Sequence, residues 1–297
     1  MIIVNLKGGL GNQMFQYALG YVLAKKKNCD LFCDIRLQEF YKKNPPPRNV
    51  PREIDLDIFG INVKQPSNWA LLKVLQNFSN YRLRKYIIFI IDFFGILALR
   101  ERKRFFEKRV FDNKSINLYL DGYWQSEKYF IDYKKDILEI FNFSNLKNES
   151  KNVSFFKSIN LNNCVCLNVR RSDFLNNPEH NTIDINYYKN AIDLMEKKIN
   201  RELNYYIFSD DIDWCEKNFK FLKKKFIVDH SFAGKKFINY LYLMTNFKFY
   251  IIPNSTFAWW AAWLSQIEKK IVIAPKKWSG LHDNDKIDIV PNNWIKL

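Results

Sequence analysis

The stretch Cys164–Phe174, CVCLNVRRSDF, joins an uninterrupted apolar run to two adjacent arginines and an acid. Such a run predicts a strand that is buried on both faces of a parallel sheet. Ligands of open α/β sheets bind at the carboxyl ends of the strands, which is where Arg170 and Arg171 fall. Guanidinium groups offer bidentate donors and stay charged, so the pair suits a diphosphate. The alternative at this point is an arginine pair neutralised by acids on a solvated loop.

A glycine-rich turn follows the first apolar run of the chain. Ile2–Val4 predicts a strand, and Leu6–Ala18, LKGGLGNQMFQYA, places Gly9 and Gly11 at the opening of a helical pattern. Glycines let backbone amides at a helix N-terminus come close to a ligand. The third glycine of a dinucleotide-binding fingerprint is replaced by Met14, and no Gly-Lys-Ser/Thr follows. The turn is therefore neither that fingerprint nor a P-loop.

The last third of the chain contains a similar junction. Phe249–Ile252 predicts a buried strand, and Asn254, Ser255 and Thr256 are natural N-caps for a helix predicted over 256–266. The N-terminus of a helix attracts anions. The three tryptophans of this helix share one stripe, so we expect them to pack in the core.

These segments resemble a known family, the α-1,2-fucosyltransferases of glycosyltransferase family 11. The stretch 8–18 is similar to the opening signature of that family, and Asn168–Phe174 to its His-x-Arg-Arg-x-Asp-Tyr/Phe motif, with asparagine in place of histidine. Phe208–Cys215, FSDDIDWC, is similar to its Phe-Ser-Asp-Asp segment. Asn254–Leu264, NSTFAWWAAWL, is similar to its Asn-Ser-x-Phe-Ser-Trp-Trp-x-Ala-Trp-Leu block, and Gly122–Phe130, GYWQSEKYF, to a mid-chain segment. The five similar segments fall in the family's order and span nearly the whole chain.

Length and composition favour a globular enzyme. A chain of 297 residues can form two ordinary cores, and 47% hydrophobic with 17% aromatic residues exclude a disordered protein. No signal peptide precedes the first predicted strand, so we expect a cytoplasmic location. The cysteines lack zinc-like spacing and are expected to be reduced, without a metal site. They are Cys29, Cys33, Cys164, Cys166 and Cys215.

The net charge of +16 requires an acidic partner or another explanation. No nucleic-acid-binding motif is present and the lysines are scattered, so we expect no nucleic-acid partner. The apolar stretch Tyr86–Leu99 is flanked by basic residues, is shorter than a spanning helix and is interrupted by Asp92. The stretch suits a buried helical hairpin of the N-terminal domain. Peripheral contact with an anionic membrane is the alternative that stays open.

Strand and helix patterns alternate along the chain, which predicts an α/β fold with parallel sheets. Helical patterns are expected around 66–99, and the polar stretch Asn142–Val153 predicts an interdomain linker. The family resemblance implies the GT-B architecture, with two Rossmann-like domains facing across a cleft. Residues 1–148 would form the acceptor-side domain and residues 149–297 the domain that binds the GDP-sugar.

The resemblance implies an inverting, metal-independent enzyme that needs no cofactor. It would move L-fucose from GDP-β-L-fucose to the 2-hydroxyl of a terminal galactose in a bacterial surface glycan such as O-antigen, with a lipid-linked acceptor. Arg170 is expected to contact the β-phosphate, whereas Arg171 pairs with Asp173 or Asp211. The expected donor-binding residues are Gly9, Gly11, Asn168, Arg170, Arg171, Asp210, Asn254, Ser255 and Thr256, with Asp210 and Asn168 on guanine.

The general base is expected to be Asp173, which acts with Arg170 in catalysis. Glu179 and His180 lie downstream on a possible lid loop. The amides of Asn12, Gln13 and Gln16 suit sugar hydroxyls, and Trp124 suits stacking on a sugar ring; these four are the predicted acceptor residues. Because Asn168 replaces the family histidine, another GDP-sugar is an open alternative. A catalytically silent glycan- or nucleotide-binding protein is a second one.

Overall fold

The computed structural model describes residues 1–44, 52–66, 96–102, 104–146, 149–157, 159, 161–180 and 183–297. These residues form two compact units, Met1–Ile140 and Phe141–Leu297. Each unit contains its own parallel sheet.

The N-terminal unit is built on a four-stranded parallel sheet with the order β2-β1-β4-β3. Its strands are β1 Ile2–Asn5, β2 Leu31–Asp34, β3 Leu97–Arg100 and β4 Leu118–Asp121. Its described helices are α1 Leu10–Lys26, α2 Arg36–Lys43, α3 Arg109–Asp112 and α4 Lys134–Ile140.

Helix α1 packs closely against β1. A Cβ atom on Gly20 would lie 2.4 Å from Cγ2 of Val4 and 2.8 Å from Cδ1 of Leu31, so only glycine permits this approach. Met14 and Phe15 of the same helix are fully buried. The family-like opening segment therefore forms much of the N-terminal core.

The C-terminal unit contains a six-stranded parallel sheet with the order β10-β9-β8-β5-β6-β7. Its strands are β5 Cys164–Val169, β6 Asn204–Ser209, β7 Lys225–Val228, β8 Phe249–Ile251, β9 Ile271–Ala274 and β10 Ile295–Lys296. Its described helices are α5 Ser150–Lys157, α6 Ile185–Ile199, α7 Ile212–Asn218, α8 Ile238–Met244 and α9 Thr256–Leu264.

Strand β5 is the centre of the C-terminal core and is buried at all six residues. Val165, Leu167 and Val169 pack in one cluster with side chains of α6. Because side chains alternate along a strand, Cys164 and Cys166 face the other side. The tryptophans of α9 are also buried, as predicted, and none of the five cysteines forms a disulfide.

The structure differs from the sequence prediction at two places. The sequence predicts a helical pattern through residue 99, whereas Leu97–Arg100 is strand β3, because it pairs with β4 in the sheet. The rest of the apolar stretch, 86–95, lies outside the described residues, as does much of the predicted 66–99 region. The predicted linker Asn142–Val153 includes the first turn of α5.

Strand order defines a topological switch point in each sheet. In the C-terminal sheet, β5 is followed by β6 and β7 on one side and by β8 and β9 on the other. Connections that leave β5 and β8 therefore diverge, and ligands of open sheets bind at such a point. The N-terminal sheet has its switch point between β1 and β4.

Candidate active site

Two of the family-like segments meet at the C-terminal switch point. Arg170 follows the last residue of β5, and the stretch 253–256 connects β8 to α9. The Phe-Ser-Asp-Asp segment ends β6, the neighbour of β5, and places Asp210 at the same edge. Because parallel strands end at a common edge, segments distant in sequence become neighbours.

Arg170 bridges two carboxylates at this edge. Its Nη2 donates to Oδ1 of Asp173 at 2.6 Å, and its Nη1 lies 3.1 Å from Oδ2 of Asp210. The guanidinium also lies over the ring of Phe174, 5.5 Å from its centroid. The side chain is 28% exposed, so a ligand can reach it.

Arg171 is held more firmly than Arg170. Its backbone N–H donates to Oδ1 of Asp210 at 2.9 Å, and its Nε donates to Oδ2 of Asp211 at 3.1 Å. The guanidinium stacks 4.1 Å from the ring centroid of Trp214, whose backbone N–H is capped by Asp211. Of the two expected partners, Arg171 thus pairs with Asp211, and its contacts fix the start of α7.

The five residues Arg170, Arg171, Asp173, Asp210 and Asp211 form what we call the arginine–aspartate cluster. Two positive and three negative formal charges give it a net charge of −1. A diphosphate can bind Arg170 only if it displaces a carboxylate. The Asp173 side chain is 24% exposed and that of Asp210 11%, so Asp173 is the easier one to displace. Oδ1 of Asp210 accepts the N–H of Arg171, whereas its buried Oδ2 lies 3.1 Å from Nη1 of Arg170 and has no hydrogen-bond partner among the described residues, so its contact with guanine stays a prediction.

Asn168 and Asn254 hold backbone groups inside the protein. Nδ2 of Asn168 donates to the carbonyl of Phe208 at 3.1 Å, and the residue is 7% exposed. Nδ2 of Asn254 donates to the carbonyls of His180 and Trp278, each at 3.0 Å. Neither amide N–H₂ group is turned toward solvent, so their predicted contacts with the donor are not what this geometry favours.

The N-terminus of α9 retains its capacity to bind an anion. Ser255 is its N-cap in an extended conformation, yet the Ser255 side chain makes no capping hydrogen bond. The first amides of a helix lack intrahelical partners, and the helix dipole favours negative charge there. Thr256 begins the helix and is half-buried. Ser255 and Thr256 lie at the carboxyl end of β8, the strand next to β5, and their contact with the donor stays a prediction.

Loops on the β8–β9 side of the switch point are tied together. The N–H of Gly280 donates to the carbonyl of Glu179 at 2.9 Å, and Nε2 of His282 lies 3.7 Å from Oε1 of Glu179. His180 stacks on Phe174 at 4.6 Å. With the bridge through Asn254, these contacts hold the segment that contains Glu179 and His180 in place.

The predicted acceptor residues of the N-terminal unit separate into two groups. Gln13 and Gln16 are fully buried. Gln13 binds the backbone of Gly8, Glu53 and Asp55, and Gln16 binds that of Lys7 and Gly122. Trp124 is also fully buried and packs edge-on against Tyr129. The three side chains are used inside the unit, so this geometry does not favour their predicted contact with a sugar.

Asn12 is the member of the predicted set that lies near the surface. It is half-buried, and its Oδ1 accepts a hydrogen bond from Nε2 of Gln125 at 2.7 Å. The turn before it needs Gly8, which has a φ of +79° and would place a Cβ 2.5 Å from Nδ2 of Asn12. Gly9 is the N-cap of α1 and Gly11 is buried in its first turn.

Sequence reasoning missed further polar residues at the N-terminal switch point. Lys7 follows β1, and its Nζ lies 2.9 Å from Asp121 at the end of β4 and 5.0 Å from the ring centroid of Tyr123. Glu101 follows β3 and accepts the N–H groups of Tyr123 and Trp124 at 2.7 and 3.0 Å. Burial raises the pKa of Glu101. The available signal for Lys7 was its position shortly after the first predicted strand, Ile2–Val4.

The described ranges also bear on membrane spanning and on metal binding. Within them, no helix is long and apolar enough to cross a bilayer. Nor do three or more His, Cys, Asp or Glu side chains of these residues group as metal ligands would. Burial raises the pKa of Cys215, the thiol near the arginine–aspartate cluster, to about 12, so it stays protonated.

Comparison with known proteins assigns the chain to a family. Residues 59–297 match the family described as Glycosyl transferase family 11. An Escherichia coli alpha-1,2-colitosyltransferase is 32% identical over 100% of this chain and 99% of its own length. The Escherichia coli O-antigen biosynthesis glycosyltransferase WbnK is 30% identical over 98% of this chain and 99% of its own.

Two solved structures share the fold at low sequence identity. The Bradyrhizobium alpha-1,6-fucosyltransferase NodZ, from a crystal soaked with GDP-fucose, has a TM-score of 0.50 at 13% identity, covering 89% of this chain and 91% of its own. A mutant of Arabidopsis thaliana FUT1 in complex with GDP has a TM-score of 0.50 at 10% identity, covering 90% and 68%. These likenesses and the two parallel sheets confirm the predicted GT-B class of α/β fold.

Proposed function

The chain belongs to glycosyltransferase family 11, and we propose that it is an inverting α-1,2-fucosyltransferase. It takes L-fucose from GDP-β-L-fucose and attaches it to the 2-hydroxyl of a terminal galactose. The observation that carries this proposal is the arginine–aspartate cluster, which lies at the C-terminal switch point beside the uncapped N-terminus of α9. The full-length likeness to an alpha-1,2-transferase supports the linkage.

Donor binding begins with an exchange of partners at Arg170. A phosphate oxygen replaces the exposed carboxylate of Asp173, while Asp210 keeps its contacts with both arginines. Amides at the start of α9 and the hydroxyls of Ser255 and Thr256 donate to the same diphosphate. These groups stabilise the negative charge that develops on GDP as it leaves, without a metal ion.

The same exchange makes Asp173 available as the general base. Once Arg170 has turned to the phosphate, this carboxylate loses the cation that it holds at 2.6 Å. It then takes the proton of the acceptor hydroxyl as that oxygen attacks C1 of fucose. The bond between C1 and the phosphate oxygen breaks, and GDP departs with its electron pair.

On the acceptor side, half-buried residues near the N-terminal switch point replace the buried ones that the sequence suggested. Asn12 and Gln125 offer amides for sugar hydroxyls, and Tyr123 offers a ring next to the ammonium group of Lys7. Aromatic faces and amides are the usual partners of a sugar ring.

Transfer of a different deoxy sugar is a second candidate. The observation that favours it is the 32% identity to an alpha-1,2-colitosyltransferase over the whole chain. Colitose lacks one hydroxyl of L-fucose, so the two donors differ by a single hydrogen-bonding group.

The cellular setting that we propose is O-antigen or related polysaccharide assembly at the cytoplasmic face of a bacterial membrane. The likeness to an O-antigen glycosyltransferase supports the glycan class. The net charge of +16 supports peripheral contact with anionic lipid around a lipid-linked acceptor. The stretch Tyr86–Leu99, for which this contact is the open alternative, lies mostly outside the described residues.

The test is sugar transfer by the purified protein in the presence of EDTA. GDP-fucose, GDP-colitose and GDP-mannose are each combined with a panel of β-galactosides, and the product linkage is determined by NMR. An α-1,2-fucosyl galactoside formed only from GDP-fucose is the expected result. Transfer only from GDP-colitose establishes the second candidate. Activity that disappears with EDTA and returns with a divalent cation overturns the metal-independent mechanism.

A further inference from the structure

An exposed aromatic pair stands at the carboxyl end of β7. His230 lies just after this strand, and Phe237 precedes α8. The two rings are 6.0 Å apart at 85°, and Phe237 is 44% exposed. This edge of the sheet is the one that also carries the arginine–aspartate cluster.

The backbone before α8 adopts an unfavourable conformation that presents the Phe237 ring. Gly234, Lys236 and Phe237 have φ values of +70°, +54° and +61°. Bulky residues rarely adopt the left-handed region, and such strain collects at functional sites. A Cβ on Gly234 would lie 2.7 Å from Cγ of Asn239, so glycine is needed to form the turn. The Phe237 ring lies 5.9 Å from that of Tyr240 and keeps 44% of its surface exposed.

His230 links this pair to the cluster. Its Nε2 lies 3.0 Å from the carbonyl oxygen of Ser209, the residue before Asp210. A carbonyl only accepts, so Nε2 carries the hydrogen, and in the neutral ring Nδ1 is an acceptor. His230 is therefore hydrogen-bonded to the residue that precedes Asp210, whose carboxylate contacts both Arg170 and Arg171.

The loops on the β8–β9 side of the cluster are held together by hydrogen bonds. Asn254 joins the carbonyls of His180 and Trp278, and Gly280 binds Glu179. A nucleoside diphosphate with its phosphates at Arg170 and α9 would therefore direct its base the other way, along the strand ends toward β7.

We propose that Phe237 and His230 form the nucleobase platform of the donor site. The inference rests on the proposed function, because it assumes a nucleoside diphosphate at the cluster. The Phe237 ring stacks on the base, and Nδ1 of His230 accepts a hydrogen bond from a base N–H. Guanine offers two such donors on one edge, N1–H and its amine. They would contact the base beside Asp210, whereas Asn168, to which the sequence also gave a base contact, donates to the carbonyl of Phe208 inside the protein.

The experiment compares GDP with inorganic pyrophosphate, which lacks the base, by titration calorimetry on the full chain. Phe237→Ala is expected to weaken GDP binding about 5- to 100-fold, the effect of losing one base–aromatic stack. Pyrophosphate affinity stays unchanged, and Phe237→Tyr restores GDP binding to within about threefold of the wild type. Phe221→Ala is the matched control, because Phe221 is 45% exposed but lies in the turn before β7, at the opposite edge of the sheet.

The outcomes distinguish a failure of the nucleobase platform from a failure of the proposed function. If the wild type binds GDP and Phe237→Ala binds it equally well, the platform is wrong and the proposed function stands. If Phe237→Ala weakens pyrophosphate as much as GDP, the ring supports the fold and the platform is also wrong. A wild type that binds neither GDP nor pyrophosphate overturns the proposed function together with the platform. Thermal unfolding of each variant confirms that it is folded.

Discussion

Replacement of Arg170 by alanine is the most informative perturbation of the proposed mechanism. It removes the guanidinium that the diphosphate recruits and changes the net charge of the cluster from −1 to −2. Loss of one preorganised donor to developing charge costs about 3 kcal/mol in the transition state, or roughly 100-fold in kcat/KM. The folded state loses two partly exposed ion pairs, which together contribute about 1–2 kcal/mol after solvent screening.

Arg171→Ala is the matched control for this variant. It removes the pair with Asp211 and the stacking on Trp214, so we expect a similar loss of about 1–2 kcal/mol in unfolding free energy. Because Arg171 is committed to these contacts, its effect on kcat/KM should stay within about tenfold. The two variants thus match in stability and differ in catalysis.

The assay combines initial rates of fucosyl transfer, measured across GDP-fucose concentrations, with thermal unfolding of both variants. Arg170→Lys, which keeps the charge but not the fork, should fall between the wild type and Arg170→Ala. Turnover of Arg170→Ala within a few-fold of the wild type would refute the phosphate role of Arg170. The same role would be refuted if Arg171→Ala lost more kcat/KM than Arg170→Ala while the two variants had equal unfolding free energies.

Three further predictions concern buried polar residues. Gln16→Leu removes three hydrogen bonds to backbone and should lower the unfolding free energy by about 3 kcal/mol in chemical denaturation; a change below about 1 kcal/mol contradicts its structural role. Asn168→Ala should cost about 1–2 kcal/mol of stability and leave GDP affinity within about threefold, whereas a tenfold loss returns this residue to the donor site. The folded-state pKa of Glu101 is raised above 4.5, so its protonated form favours folding below that pH, and this stability is lost as the pH rises through the folded pKa. Unfolding free energies from pH 4 to pH 7 should therefore show the wild type losing stability relative to Glu101→Gln, and a rising difference contradicts the sign.

Many of the strands and helices follow from local sequence patterns and could be predicted from the sequence. Apolar runs such as Cys164–Val169 have one stable environment, a strand covered on both faces, so β5 is found where the sequence predicts it. Strand β3 of the N-terminal sheet was missed because four residues at the end of a long apolar stretch do not distinguish a strand from the end of a helix. Pairing with β4 decides that case, and pairing is a tertiary contact.

The sequence by itself determined the fold class, the family and the place of the arginine pair at a strand end, since these depend on local pattern and motif. Only the tertiary structure decided which polar side chains are buried with partners inside the protein and which stay exposed. The amide of Gln13 could bind a sugar hydroxyl or a backbone group equally well. In the folded chain it hydrogen-bonds to the backbone of Glu53 and Asp55, which folding brings close to it. The exposure of Phe237 depends in the same way on a strained turn that no periodicity predicts. Hydrogen-bonding groups are satisfied by whichever partner folding places nearest, and that partner is set by three-dimensional proximity.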